Sequence, residues 1–269
     1  MAIVAITVSC KTKEEEIKTT DPMAGLIKLK EGFAIGAGTK VQIWGTKNFF
    51  MGYNPLTVIL LDSVNPKDTI KDAHIRFMPM MTMEMGMMPM QHNCPIEKPD
   101  EEAPNGLFKG ALAFVMATST SGYWNLDVYV HNHSNGKYGT AKFNPITVDN
   151  PTNTSLSIFT SQTADSSKLV LSMVAPTTPK VGVNDIEFTI HRQESMMSWP
   201  ADSTYTIEIL PEMPSMGHGS PNNVNPIHTG NGHYKGKVNF TMTGEWKVNV
   251  SIKKNNTVVS KNANFIINL

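Results

Sequence analysis

The chain has 269 residues, with 23 basic and 23 acidic side chains and a formal net charge of +0. That balance excludes the basic footprint of a nucleic-acid-binding protein and gives no pull toward an anionic membrane surface. No run of eighteen apolar residues is present, so no spanning helix is expected, and the length suggests two domains.

The first segment, Met1-Ala2-Ile3-Val4-Ala5-Ile6-Thr7-Val8-Ser9-Cys10, is apolar and is followed by Lys11-Thr12-Lys13-Glu14-Glu15-Glu16. It reads as the end of a bacterial lipoprotein signal with Cys10 as the lipidated residue, although Thr7 replaces the usual apolar residue and no basic stretch precedes it. The competing reading is a buried first strand with an incidental cysteine. Lipid at Cys10 would tether the chain without crossing the membrane. Residues 11–38 read as the tether. The other cysteine is Cys94. With Cys10 lipidated it stays a single thiol and a spare soft ligand; otherwise the two could form a bridge.

From Lys40 the pattern becomes strand-like. Val41 and Ile43 alternate, Asn54-Pro55 predicts a turn before Leu56–Leu61, and Pro66-Lys67-Asp68 predicts another. His74-Ile75-Arg76-Phe77 then alternates and runs into a stretch where eight of thirteen residues, from Met78 to Met90, are methionine. Two prolines and a glycine break any regular period there, so a flexible loop is expected. Thioether and imidazole are donors suited to Cu(I), and metal handling is one reading of the loop. An adaptable apolar contact surface is the other.

A polar connection through Pro95, Pro99 and Pro104 follows. Leu112, Phe114 and Met116 then share one strand face, as do Trp124, Leu126, Val128 and Val130. His131-Asn132-His133 reads as a turn. Phe143, Ile146 and Val148 close the domain, and residues 149–153 form a linker.

The second half repeats the first. Gly182–Phe188 matches Gly52–Val58, Thr206-Ile207-Glu208-Ile209 matches His74–Phe77, and Met213–His218 matches Met78–Met83. Asn231–Gly236 matches Asn105–Gly110, and Gly244–Val250 matches Gly122–Val128. Five features in the same order mark an internal duplication. Short strands separated by Gly, Pro and Asn turns predict an all-β protein of two tandem Ig-like β-sandwich domains, at residues 39–149 and 150–269. Trp124 and Trp246 are expected at equivalent core positions.

Three motifs of the second half carry a resemblance: Met213-Pro214-Ser215-Met216-Gly217-His218, Gly232-His233-Tyr234-Lys235-Gly236 and Gly244-Glu245-Trp246. They resemble the YtkA-like family, small Ig-like sandwich domains of bacterial envelope proteins, related to FixH and associated with copper handling. The first half keeps the frame but places Met83 against His218 and Leu107 against His233. The resemblance implies an envelope protein that handles copper.

Two metal sites are therefore expected. Site two gathers Met213, Met216, His218, His228 and His233. Site one draws on Met78, Met81, Met83, Met85 and His92, with Met80, Met87, Met88, Met90 and Cys94 as spare donors. Site one can fill its coordination with sulfur alone, whereas site two depends on imidazole. No nucleophile elbow, phosphate loop or His-Glu-x-x-His motif points to catalysis. The expected protein is a non-catalytic, lipid-anchored envelope protein that captures or transfers Cu(I) with a copper-donor or acceptor partner. An Ig-like adhesion or assembly module with a methionine contact surface is the alternative.

Overall fold

The structure, a computed structural model, describes residues 21–84, 86, 88–151, 158–162, 166 and 168–269. Every regular element among them is a β-strand, and no helix is long and apolar enough to cross a membrane. Cys10, Met85 and Met87 lie outside the described residues.

The first sandwich contains β1 (Ile27–Ala34), β2 (Thr39–Gly45), β3 (Gly52–Asp62), β4 (Thr69–Ile70), β5 (Ala73–Met83), β6 (Met90–His92), β7 (Ile96–Glu97), β8 (Phe108–Phe114), β9 (Gly122–Asn132) and β10 (Lys137–Ile146). One antiparallel sheet runs β1-β2-β3-β8-β7, with β4 on β3, and faces a second ordered β10-β9-β5-β6. The second sandwich contains β11 (Ile158–Gln162), β12 (Lys168–Ala175), β13 (Gly182–Arg192), β14 (Thr206–Met213), β15 (His218–Gly219), β16 (Val224–Gly230), β17 (His233–Phe240), β18 (Glu245–Lys254) and β19 (Thr257–Asn268). Its sheets run β11-β12-β13-β17-β16 and β15-β14-β18-β19.

Each sandwich has its own core, spanning Ala34 to Val148 in the first and Leu169 to Ile267 in the second. Trp124 and Trp246 are fully buried. Phe114 packs on Trp124 at 4.9 Å between ring centroids, and Phe240 packs on Trp246 at 5.6 Å. Each indole Nε1–H donates to a backbone carbonyl at 3.0 Å, that of Met116 in the first domain and of Met242 in the second. A large aromatic thus buries its surface while its polar handle is satisfied, in the same way twice.

Three expectations are corrected. Residues 27–34, assigned to the tether, form β1, paired along its length with β2. Asn54-Pro55 is not a turn but part of β3. Strand β2 pairs with β3 only from Thr57 onward, so Pro55 lies where one side of the strand has no ladder to donate to. His131, read as part of a turn, is still in β9, with its ring stacked on Tyr138 at 4.0 Å.

Candidate metal centres

The methionine-rich stretch begins as a strand. β5 pairs with β9 continuously from Ala73 to Met83, and Pro79 is accommodated because β6 joins the other side only from Met81 onward. Side chains alternate along a strand. Ile75, Phe77, Pro79 and Met81 therefore face the core, and Met83 packs against it. Met78 and Met80 face the opposite side. Met78, expected among the ligands, is thus turned away from Met81 by the two-residue period.

Strand β6 returns alongside β5 and sets His92 opposite Met81. His92 is only 6% exposed, and its ring stands edge-on to Trp124 at 5.5 Å. Its Nδ1 lies 2.8 Å from the carbonyl oxygen of Asn93. A carbonyl only accepts, so Nδ1 carries the proton, and in the neutral ring Nε2 is left with its lone pair. That Nε2 is 3.3 Å from Met116 Sδ. At that separation one soft ion would lie within reach of both the Nε2 lone pair and the thioether. The pair is therefore spaced to chelate. Gly122 makes room beside it: a Cβ there would lie 2.6 Å from the Met81 methyl carbon.

The second domain repeats the arrangement. His218 on β15 lies opposite Met213 on β14, and its ring stands 5.8 Å from Trp246. Its Nδ1 is 2.9 Å from the carbonyl of the next residue, Gly219. Met213 is buried, and its methyl carbon would lie 3.2 Å from a Cβ at Gly244. Both histidines therefore have the same tautomer fixed by the following carbonyl, the kind of outer partner that orients metal-binding imidazoles. Site two is the more open. Met216 in its turn is 62% exposed and Met242, the counterpart of Met116, is 39% exposed.

This geometry changes the pairing of the repeats. Pro79 lies opposite Leu126 and Pro211 opposite Val248, so Met81 corresponds to Met213 rather than Met78 to Met213. His218 corresponds to His92, not to Met83. The earlier correspondence slipped by three residues because the first hairpin carries the insertion.

His233 does not join site two. β17 runs from His233 to Phe240, and it is Phe240 that packs on Trp246. Seven residues of extended strand place His233 about 23 Å from that end. His228, opposite Tyr234, is at the same far end. Both ring nitrogens of His233 are taken by carboxylates: Nδ1 lies 2.6 Å from Glu187 and Nε2 lies 2.9 Å from Glu97 of the first domain. Cys94 is no spare ligand either. It is buried in the first core with a free thiol, and burial holds that thiol well above its ordinary pKa, hence protonated.

The neighbour of His92 that the sequence reading did not single out is Met116, placed there only on a strand face with Leu112 and Phe114. The signal lay in a repeated Phe-x-Met ahead of each Gly-x-Trp: Phe114-Val115-Met116 and Phe240-Thr241-Met242. Among the described residues no group of three or more His, Cys, Asp or Glu is placed to hold a metal ion; the side chains gathered here are imidazole and thioether. No curated protein matches the chain. The family model described as YtkA-like matches residues 163–251, so one YtkA-like domain lies within the second sandwich.

Proposed function

We propose that the protein binds Cu(I) at two Met–His sites, one at the equivalent end of each sandwich, and captures or passes the ion without turnover. The observation that carries this reading is the pairing of His92 Nε2 with Met116 Sδ at 3.3 Å, with the Nδ1 proton committed to a carbonyl. Neutral, soft donors against an indole favour a soft monovalent ion over hard cations. Repetition of the Met–His–Trp arrangement in a YtkA-like domain supports the same chemistry there. The redundant exposed methionines, Met88 and Met90, suit a labile approach to site one. A lipid at Cys10 would hold the protein at a bacterial membrane surface in the cell envelope, where a copper donor or acceptor would meet it.

The test is a competition titration with a Cu(I) chelator under reducing conditions. The wild-type chain should take two equivalents, and His92→Ala and His218→Ala should each remove one. Binding that neither substitution alters would overturn the assignment. The exposure of Met88 and Met90 also supports the second reading, a methionine contact surface in an adhesion or assembly module. In that case the chain takes no stoichiometric Cu(I).

A further inference from the structure

The segment that leaves His92 also touches the second domain. Asn93 accepts the His92 Nδ1–H on its carbonyl at 2.8 Å. Its own N–H donates to the Met196 carbonyl at 2.9 Å, and its Nδ2 donates to the Met197 carbonyl at 2.6 Å. Met196 and Met197 belong to the turn that follows β13, closed by hydrogen bonds between Ser195 and Ser198. Four residues after Asn93, Glu97 takes the Nε2 of His233 at 2.9 Å on one oxygen and the Tyr53 hydroxyl at 2.7 Å on the other. His233 passes the connection to Glu187 within its own domain. Beside these bonds Tyr53, Ala111 and Ala113 pack against Val174.

Residues 92–97 are thus a strap pinned to the second sandwich at both ends. With its N–H and side-chain amide held by Met196 and Met197, Asn93 presents its carbonyl to His92 in a fixed direction.

We propose that Asn93 is a positioning residue for site one, and that docking of the second domain sets the soft-metal affinity of the first. The proposal rests on the soft-metal reading of site one. When the junction opens, the Asn93 carbonyl is free to turn, the Nδ1–H loses its partner, and the ring is no longer fixed with Nε2 toward Met116. Losing an outer partner of this kind typically weakens metal binding about 10- to 100-fold. Linkage is reciprocal, so a metal at site one tightens the junction by the same factor. Site two takes its fixing carbonyl from Gly219 in its own hairpin and is the internal comparison.

The experiment uses the full chain with Ag(I) as the probe. His233→Asn removes the ion pairs from the second-domain side, and Asn93→Asp sets a carboxylate against the Met197 carbonyl. Occupancy of the two sites is followed separately through the indole N–H signals of Trp124 and Trp246. The His92 tautomer is read from its ring nitrogen shifts, and domain separation from small-angle scattering. Both variants should lower site-one affinity about tenfold, leave site two unchanged, and move His92 toward a tautomer mixture. A junction that opens while site one keeps its affinity overturns the proposal, as does a junction that stays closed in both variants. Equal weakening of both sites also overturns it, since that marks general destabilisation. If the wild-type chain takes up no Ag(I), the soft-metal reading falls. The His92 tautomer then decides the positioning role, and an unchanged signature in both variants overturns it.

Discussion

The hairpin that closes site one carries residues 82–91 between Met81 and His92, and the one that closes site two carries only residues 214–217 between Met213 and His218. The ends they join are the same: a methionine and a histidine paired across a strand, beneath a buried tryptophan. The extra length changes the setting of the histidine. His92 is tucked to 6% exposure against Met116, while site two leaves Met242 39% exposed and Met216 62% exposed at the turn. The same Met–His pairing thus sits in an enclosed setting under the longer hairpin and in an open one under the shorter. In the proposed reading, the enclosed site would retain the ion and the open one would exchange it. Each domain sets one histidine beside its tryptophan, so the contrast proposed between the two sites is one of access.

The largest expected effect tests whether the two cores are equivalent. Trp124→Ala and Trp246→Ala each empty a fully buried position, and each should cost about 3–5 kcal/mol. Denaturant unfolding of both variants checks this. A mild effect at one tryptophan would mean the two sandwiches are not built on the same keystone.

Next come the glycines beneath the two methionines. Gly244 has φ +128°, a backbone conformation that favours glycine, and a Cβ there would also press the Met213 methyl at 3.2 Å. Gly244→Ala should cost about 1–3 kcal/mol. At Gly122 the added Cβ presses the flexible end of Met81 at 2.6 Å and makes ordinary contacts with Met83 and Ser119 at 3.5 Å. Gly122→Ala should therefore disturb stability less than Gly244→Ala and instead displace the Met81 thioether. Thermal unfolding of the pair, set beside Ag(I) affinity, separates the two outcomes; equal stability loss with intact binding would count against the contrast.

Met116→Leu and Met242→Leu remove a sulfur at nearly constant volume. The first should weaken Ag(I) binding at site one about tenfold, or about 1.4 kcal/mol. The second should have a smaller effect, because Met242 is exposed rather than held against the ring. Isothermal titration of both variants checks the ordering, and an equal loss would erase the distinction between enclosed and open sites.

The sandwich architecture was legible because alternation and turn residues repeat twice, and the two tryptophans announce the cores. What misled were residues whose usual meaning depends on a neighbour. Pro55 and Pro79 look like strand breakers, yet each lies where the adjoining strand has not begun or has already ended. Strand β1 reads Ile-Lys-Leu-Lys-Glu-Gly-Phe-Ala, and an edge strand laced with charge resembles a tether until its partner is in place. Among the residues of the proposed sites, Met81, His92, Met213 and His218 were visible from composition, because soft donors cluster visibly. Met116 was not, since its role arises only when the strands after β5 and β8 fold to one end of the sandwich. His233 was assigned to the wrong site for the converse reason: its spacing from His218 is short in sequence, but a whole strand length separates them.

The smallest expected effect is on the junction that distinguishes the first site from the second, and its sign can be worked out. Hydrogen bonding to Glu97 raises the His233 pKa, against an opposing push from burial, and Glu187 adds to the rise. A histidine raised in this way contributes stability that is complete below its unfolded pKa of about 6.5 and is lost as pH climbs through its folded value. Burial pushes Glu97 upward, but the bonds from His233 and Tyr53 prevail and leave it lowered. Its contribution is complete above about 4.3 and fades in acid. His191, buried close by, is driven by that burial down to about 4. Folding therefore weakens as pH falls from about 6.5 toward that value, because the unfolded chain takes up the proton more readily. Lys235 reaches Glu187 at 3.5 Å from the surface, where such a pair counts for little. Stability should thus peak near pH 6.5, with an acid limb from His191 and a shallower alkaline limb from His233. His233→Asn should flatten the alkaline limb and leave the acid limb in place, as read by thermal unfolding across pH 4 to 9. An alkaline limb that survives the substitution would move its origin away from the Glu97–His233–Glu187 bridge.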